Sequence, residues 1–207
     1  MPLRAPPTAR SRLEGQFGLC KFRGMSGLDL HHLEELLDTP EPPELGPGPR
    51  GGVQAEAALY RKLGGLLDGT DLSDEKQQLV RALVFLWHDH LEPAHVIAQR
   101  IENPDGAFVH GIMHRREPDY GNAAYWFRRV GRHAAFPEIA KRAKLLIQAG
   151  EEEALGKELI RQGEWNAFGF IDACEQGSHR GVSDKRIRLL REVQSVETRV
   201  LLEWFCG

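Results

Sequence analysis

Six of the nine histidines of this 207-residue chain fall between positions 88 and 133: His88, His90, His95, His110, His114 and His133. Asp89, Glu92, Glu117 and Asp119 are interleaved with them, as are several arginines, including the adjacent pair Arg115 and Arg116. Imidazoles and charges cost free energy to bury unless they are paired. A polar set this dense among apolar, helix-forming residues therefore marks the region where function is expected.

Three chemistries suit the set. The first is metal binding. His110 and His114 are four residues apart, so on a helix they project from one face and can share an ion. His95, His90 or Asp89 would complete the ligand set for a divalent metal such as zinc. No glutamate follows His110, which removes the HExxH metalloprotease pattern. The second is capture of a small anion. Arg115 and Arg116 are planar forks suited to carboxylate or phosphate, with Asp89, Glu92 and Asp119 as orienting carboxylates. Helix N-termini near Pro93 and Asp119 would add donors. The competing arrangement is internal, with the same arginines paired to Asp89, Glu117 or Asp119 and clamping helix ends together. The third is acid–base chemistry, in which His90, His95 or His114 titrates in the useful range and Tyr120 donates a proton. Ser178 is far along the chain and Cys174 falls in an apolar helix. Catalysis here would thus use activated water or direct proton transfer rather than an acyl-enzyme.

These groups need elements to hold them, and the apolar period is helical nearly everywhere. Helices are expected over Val53–Leu67, from an N-cap at Asp74 to about His88, and from near Pro93, which suits a first turn. Asn103-Pro104-Asp105-Gly106 reads as a turn. A helix from Ala107 to Arg116 follows, then one from Asp119 to Arg132, and further ones starting near Pro137, Glu151 and Asn166. The last is expected over Asp184–Phe205, with Leu189, Val193, Val196, Val200 and Trp204 on one stripe. No segment alternates with period two. The predicted fold is all-α, a bundle of antiparallel helical hairpins. Short loops make successive helices antiparallel, so their ends alternate between two rims. By that rule His88, Asp89, His90, Glu92, His95, His114, Arg115, Arg116, Glu117, Asp119 and Tyr120 gather on one rim, with His110 a turn below His114. Trp87 and Phe127 are assigned to the core, while Tyr125 and Trp126 stay open between core and pocket.

Gly111, Ala123 and Phe127 stand at the small, small and aromatic positions of a tetratricopeptide-type hairpin. Ala82, Ala94 and Ala98 echo them 29 residues earlier, against a usual repeat of about 34. The run from Asp119-Tyr120 through Ala123 and Trp126-Phe127-Arg128-Arg129 to Gly131 resembles the second helix of Sel1-type repeats. The resemblance covers about residues 77–132 and implies a partly tetratricopeptide-like bundle. It says nothing of the HDHLExxH and HxxxHRREPDY strings, which resemble an uncharacterised helical family without an assigned activity.

Residues 1–50 are read as a disordered or extended arm with a Pro/Gly-rich linker, and residues 51–207 as the helical domain. The prolines and glycines of Thr39–Arg50 forbid helix or interior strand, and a short amphipathic piece, Leu28–Leu37, precedes them. Residues 1–24 hold five basic residues against the single Glu14 and lack the apolar core of a secretory signal. Met25 is taken as opening the protein proper. The net charge of −3 is thus more acidic beyond that stretch, which argues against a nucleic-acid partner. No apolar run suits a membrane helix, and Cys20, Cys174 and Cys206, widely spaced, fit a reducing cytoplasm. The expected function is binding of a small anionic ligand in the His/Arg/carboxylate pocket, with metal-assisted hydrolysis or acid–base chemistry. The alternative is a non-enzymatic repeat module that binds a protein partner, with the polar cluster as an internal clamp. Two repeat-like units are few for an open solenoid, which favours a closed domain.

Overall fold

The computed structural model describes residues 30–178 and 185–207. The basic stretch 1–24, Cys20, Met25 and the expected helix start at Asp184 lie outside the described residues. Ten helices are seen among the described residues: α1 Leu30–Leu36, α2 Glu56–Leu67, α3 Asp74–Trp87, α4 Leu91–Ala98, α5 Pro104–Arg116, α6 Tyr120–Val130, α7 Phe136–Ala149, α8 Glu153–Leu159, α9 Ala167–Ser178 and α10 Lys185–Cys206. The fold is an all-α bundle. None of these helices is long and apolar enough to cross a membrane.

Local chemistry sets the helix starts. Ser73, not Asp74, caps α3, its side chain accepting from the Lys76 N–H at 3.3 Å. Asn103 caps α5 by accepting from the Gly106 N–H at 2.8 Å, with Pro104 in the first turn. The segment Asn103–Gly106, expected as a turn, is therefore a cap followed by the first helical residues. A proline at that position forfeits no hydrogen bond because its N–H would have been an orphan. Asp119 caps α6 through the Asn122 N–H, as the sequence indicates. Among the described residues, the regular structure other than helix is a minimal hairpin, β1 Ile160–Arg161 with β2 Glu164–Trp165, paired antiparallel. Gln162 and Gly163 at its tip both have positive φ, the requirement of a tight two-residue turn. Two-residue strands are too short for alternation to register in sequence.

Helices α3, α4, α5 and α6 each pack on the next in chain order, and α10 packs against α3, α7 and α9. Leu79, Val80, Leu83, Phe108, Phe127, Val193, Leu201 and Phe205 belong to one continuous buried core. Each such side chain contributes roughly 1.5–3 kcal/mol by leaving water. Trp87 and Phe127 are buried there as expected, whereas Trp204, assigned to the same stripe, is 43% exposed at the end of α10. Gly111 on α5 lies under Phe127 of α6, and a Cβ at that glycine would come within 2.8 Å of the ring. Glycine thereby sets how closely α5 and α6 approach.

The segment between α1 and α2 has no regular structure, yet it is bound along the bundle. Its backbone cannot satisfy itself, and side chains of the body supply the partners. Arg191 donates to the Pro42 and Pro43 carbonyls, Gln194 to the Glu44 carbonyl at 2.9 Å, and Arg116 to the Gly46 carbonyl at 2.8 Å. Leu33, Leu36, Leu37 and Leu45 are buried.

Candidate functional site

Three of the histidines meet. His110 and His114, one turn apart on α5, have parallel rings with centroids 4.8 Å apart. His95 reaches them from α4, with its ring centroid 4.8 Å from that of His110 and 5.3 Å from that of His114. One nitrogen from each ring lies within 4.8 Å of the other two. Trp126 of α6 stacks on His110 at 3.9 Å, and the Arg129 guanidinium sits 5.3 Å from the Trp126 ring centre. His110 is 3% and His114 6% exposed, while His95 is half-buried.

The electrostatics are those of imidazoles held neutral. Burial pushes the His110 pKa down to about 3, and the neighbouring His114 and His95 push the same way. Burial likewise lowers that of His114, opposed by Glu117. The His114 Nδ1 lies 3.3 Å from Glu117 Oε2, close enough for attraction but poorly aligned for a hydrogen bond. Both ring nitrogens of His110 are buried with no hydrogen-bond partner. An orphaned buried polar atom costs about 1–3 kcal/mol, so a ring with two of them calls for a physical reason.

A neutral imidazole is the ligating form, so no proton has to be displaced from His110 before an ion binds. Zinc–nitrogen bonds of about 2.0–2.1 Å allow two ligands on one ion to be at most about 4.2 Å apart. A pair at the 4.8 Å limit must then close by about half an ångström, a shift small enough for ring rotation. His95, the least buried of the three, has the most room to make it.

The rest of the expected rim divides between two other places. Asp89 accepts from the Arg50 backbone N–H, from the Arg50 guanidinium and from Arg116 at 2.7 Å. Arg116 also donates to the Leu86 carbonyl. His88 is wholly buried between the Leu36 carbonyl at 2.8 Å and the Gln54 N–H at 3.1 Å. Its Nε2 therefore carries the proton, Nδ1 accepts, and burial lowers its pKa. His90 holds the Gln54 carbonyl at 2.8 Å. These residues fasten the segment between α1 and α2. Arg115 enters the core instead, where it pairs with Glu197 of α10 and lies 4.3 Å from the Phe170 ring centre. Arg115 and Arg116, expected to clamp an anion, are thus buried and engaged by internal acceptors, which leaves neither poised for an incoming ligand. Tyr120 is directed to α9, where burial raises its pKa against an opposing contribution from Ser178, and it does not join the histidines. Glu92 is exposed in the first turn of α4, and Asp119 is exposed and used as a cap.

Helix geometry explains the division. Successive residues of a helix are turned by about 100°, so His114, Arg115 and Arg116 point three ways. One meets α4, the next α10, and the third the bound segment. His133 is also a fastener, holding Asp105 at 2.7 Å while its Nδ1 accepts from the Ala135 N–H. Cys174 and Cys206 are core residues, and burial raises their thiols to about 12. Three participants escaped the sequence reading: Arg50, Glu197 and the stacking role of Trp126. Glu197 had a signal, a carboxylate between Val196 and Val200 on an apolar stripe. Arg50, at the end of a Pro/Gly-rich run, had none.

No protein-family model, curated protein or solved structure matches this chain.

Proposed function

We propose that the chain binds one divalent transition-metal ion, zinc being the first candidate, through His95, His110 and His114. The observation that carries the proposal is His110, buried with both ring nitrogens unpartnered while two further imidazoles approach it. Imidazole sets of this kind suit zinc, copper, nickel and iron. Three protein nitrogens leave a further coordination position open, as catalytic zinc sites do, whereas structural sites are closed by four protein ligands. A bound ion would supply there a polarised water or an anchor for a small anion. Glu117 beside His114 is placed to orient that imidazole from the outside, a role carboxylates commonly take behind metal-bound histidines. An anionic ligand is accordingly assigned to the open position of the ion, and Arg115 and Arg116 are assigned to internal support.

The test is metal content by mass spectrometry on protein made without a histidine tag, before and after His110→Ala and His114→Ala. The expected result is about one equivalent of zinc per chain after equilibration with micromolar zinc, lost in either variant. Cobalt substitution should give the visible bands of a low-coordinate site. A wild-type chain that takes up neither ion overturns the proposal, whatever the stability of the variants.

The non-enzymatic reading keeps one specific observation. Asp89, bonded to both Arg50 and Arg116 with side-chain exposure of 0%, behaves as an internal clamp. That part of the polar cluster is assigned to holding the chain together rather than to binding.

A further inference from the structure

A second place in the molecule combines a cavity with unused donors. Where the end of α6 and the start of α7 face the hairpin and the beginning of α9, there is an open cavity of about 160 Å³. Its walls include Phe127, Phe136, Trp165 and Phe168, and its rim Arg132 and Glu164. Phe168 is 43% exposed although it is a large aromatic side chain.

The polar groups here are mostly donors without acceptors. The first N–H groups of α9, those of Ala167, Phe168 and Gly169, have no acceptor among the described residues. The Asn166 side chain donates its Nδ2–H to the Glu158 carbonyl, and its Oδ1 accepts from none of these N–H groups. Arg132 has neither an ion pair nor a hydrogen bond among the described residues. Trp165, part of the wall and 5% exposed, keeps its indole Nε1 buried with no acceptor. A helix N-terminus concentrates positive potential, and an arginine lining the same cavity suits a carboxylate. Arg132 and Glu164, the one acid among the lining residues, are both exposed, so water and salt screen each of them.

Size and lining restrict the rest of the ligand. An apolar cavity of about 150 Å³ is enough to hold benzene, while sites for drug-sized molecules start at about 300 Å³. Aromatic walls favour a flat ring in offset or edge-on contact. The geometry points to a binding site for a small aromatic carboxylate, its ring between Phe136, Trp165 and Phe168 and its carboxylate at the N-terminus of α9 beside Arg132. This site shares no side chain with the three histidines, and it stands whether or not they hold a metal.

Benzoate is the probe, titrated into chelator-treated full-length protein and followed by amide and indole resonances in NMR. Acetate and benzyl alcohol serve as the ringless and the uncharged controls. Benzoate should shift the Trp165 indole N–H and the amides of residues 166–169, and bind more tightly than either control. Arg132→Gln should weaken benzoate about tenfold, the scale of one lost charge-assisted hydrogen bond, and leave benzyl alcohol unchanged. Phe168→Ala, at a position 43% exposed, should weaken both ring-bearing probes. Three outcomes overturn the proposal: acetate binding as tightly as benzoate, benzyl alcohol doing so, or benzoate shifts confined to other parts of the chain.

Discussion

At the scale of single residues, the polar region is three neighbourhoods with different physics. Asp89 is the residue on which two buried guanidiniums depend, with side-chain exposures of 6% for Arg50 and 2% for Arg116. Removing one member of a buried ionic group leaves the others uncompensated, at a cost of about 3–5 kcal/mol. Asp89→Asn keeps the shape and tolerates the positive φ found there. It should lower the unfolding free energy by about 3 kcal/mol in urea titration, without altering zinc stoichiometry at the histidines. The histidines themselves predict a pH dependence. His110 has its pKa pushed from 6.5 to about 3, and His88 and His114 are also lowered. The unfolded chain therefore takes up protons that the folded chain refuses. Stability of metal-free protein should be complete above about pH 6.5 and fall as pH drops, by about 1.4 kcal/mol per unit for each histidine concerned. Urea midpoints at pH 7.5, 6 and 5 measure the slope. In His110→Gln the slope should shrink by about one proton, and an unchanged slope would show that His110 is not among the groups refusing protonation.

At the scale of elements, the hairpin of α5 and α6 decides whether the histidine cluster and its stacking partner meet. Most of that hairpin is legible in the residues. The four-residue spacing of His110 and His114 puts them on one face, and Pro118 with the Asp119 cap separates the helices. The loop after α3 brings His95 to the same level. What spacing does not reveal is the rotation of α5 about its axis, which sends Arg115 into the core and Arg116 to the bound segment. The approach of the two helices is testable at Gly111. A methyl group there meets Phe127 at 2.8 Å, and overpacking costs typically about 1–3 kcal/mol. Alanine would also gain about 1 kcal/mol of helix propensity. Gly111→Ala should nevertheless lose stability in thermal and urea unfolding, and should weaken the stacking of Trp126 on His110, read by tryptophan fluorescence. A neutral or stabilised variant would show that the interface relaxes at no net cost.

At the scale of the whole molecule, the segment between α1 and α2 is part of the folded unit. Arg116, Arg191, Gln194, His88 and His90 all spend polar atoms on it, and its own Arg50 donates to Asp89 and to the Trp87 carbonyl. A shortened chain starting at residue 56 would leave several of these groups buried or newly wetted without partners. Circular dichroism melts should show it strongly destabilised or unfolded relative to the full chain. Equal melting of the chain from residue 56 would reduce the segment to a passive wrapping. By itself, the sequence determined the all-α class, the order of the hairpins and the convergence of His95, His110 and His114, because these follow from local periodicity and short loops. The tertiary structure alone decided that Arg115 pairs with Glu197, 82 positions away, and that Asp89 and His88 hold a segment 34 to 39 positions earlier. Such partners depend on how each helix is rotated against neighbours that are remote in sequence, and no local pattern of residues encodes that rotation.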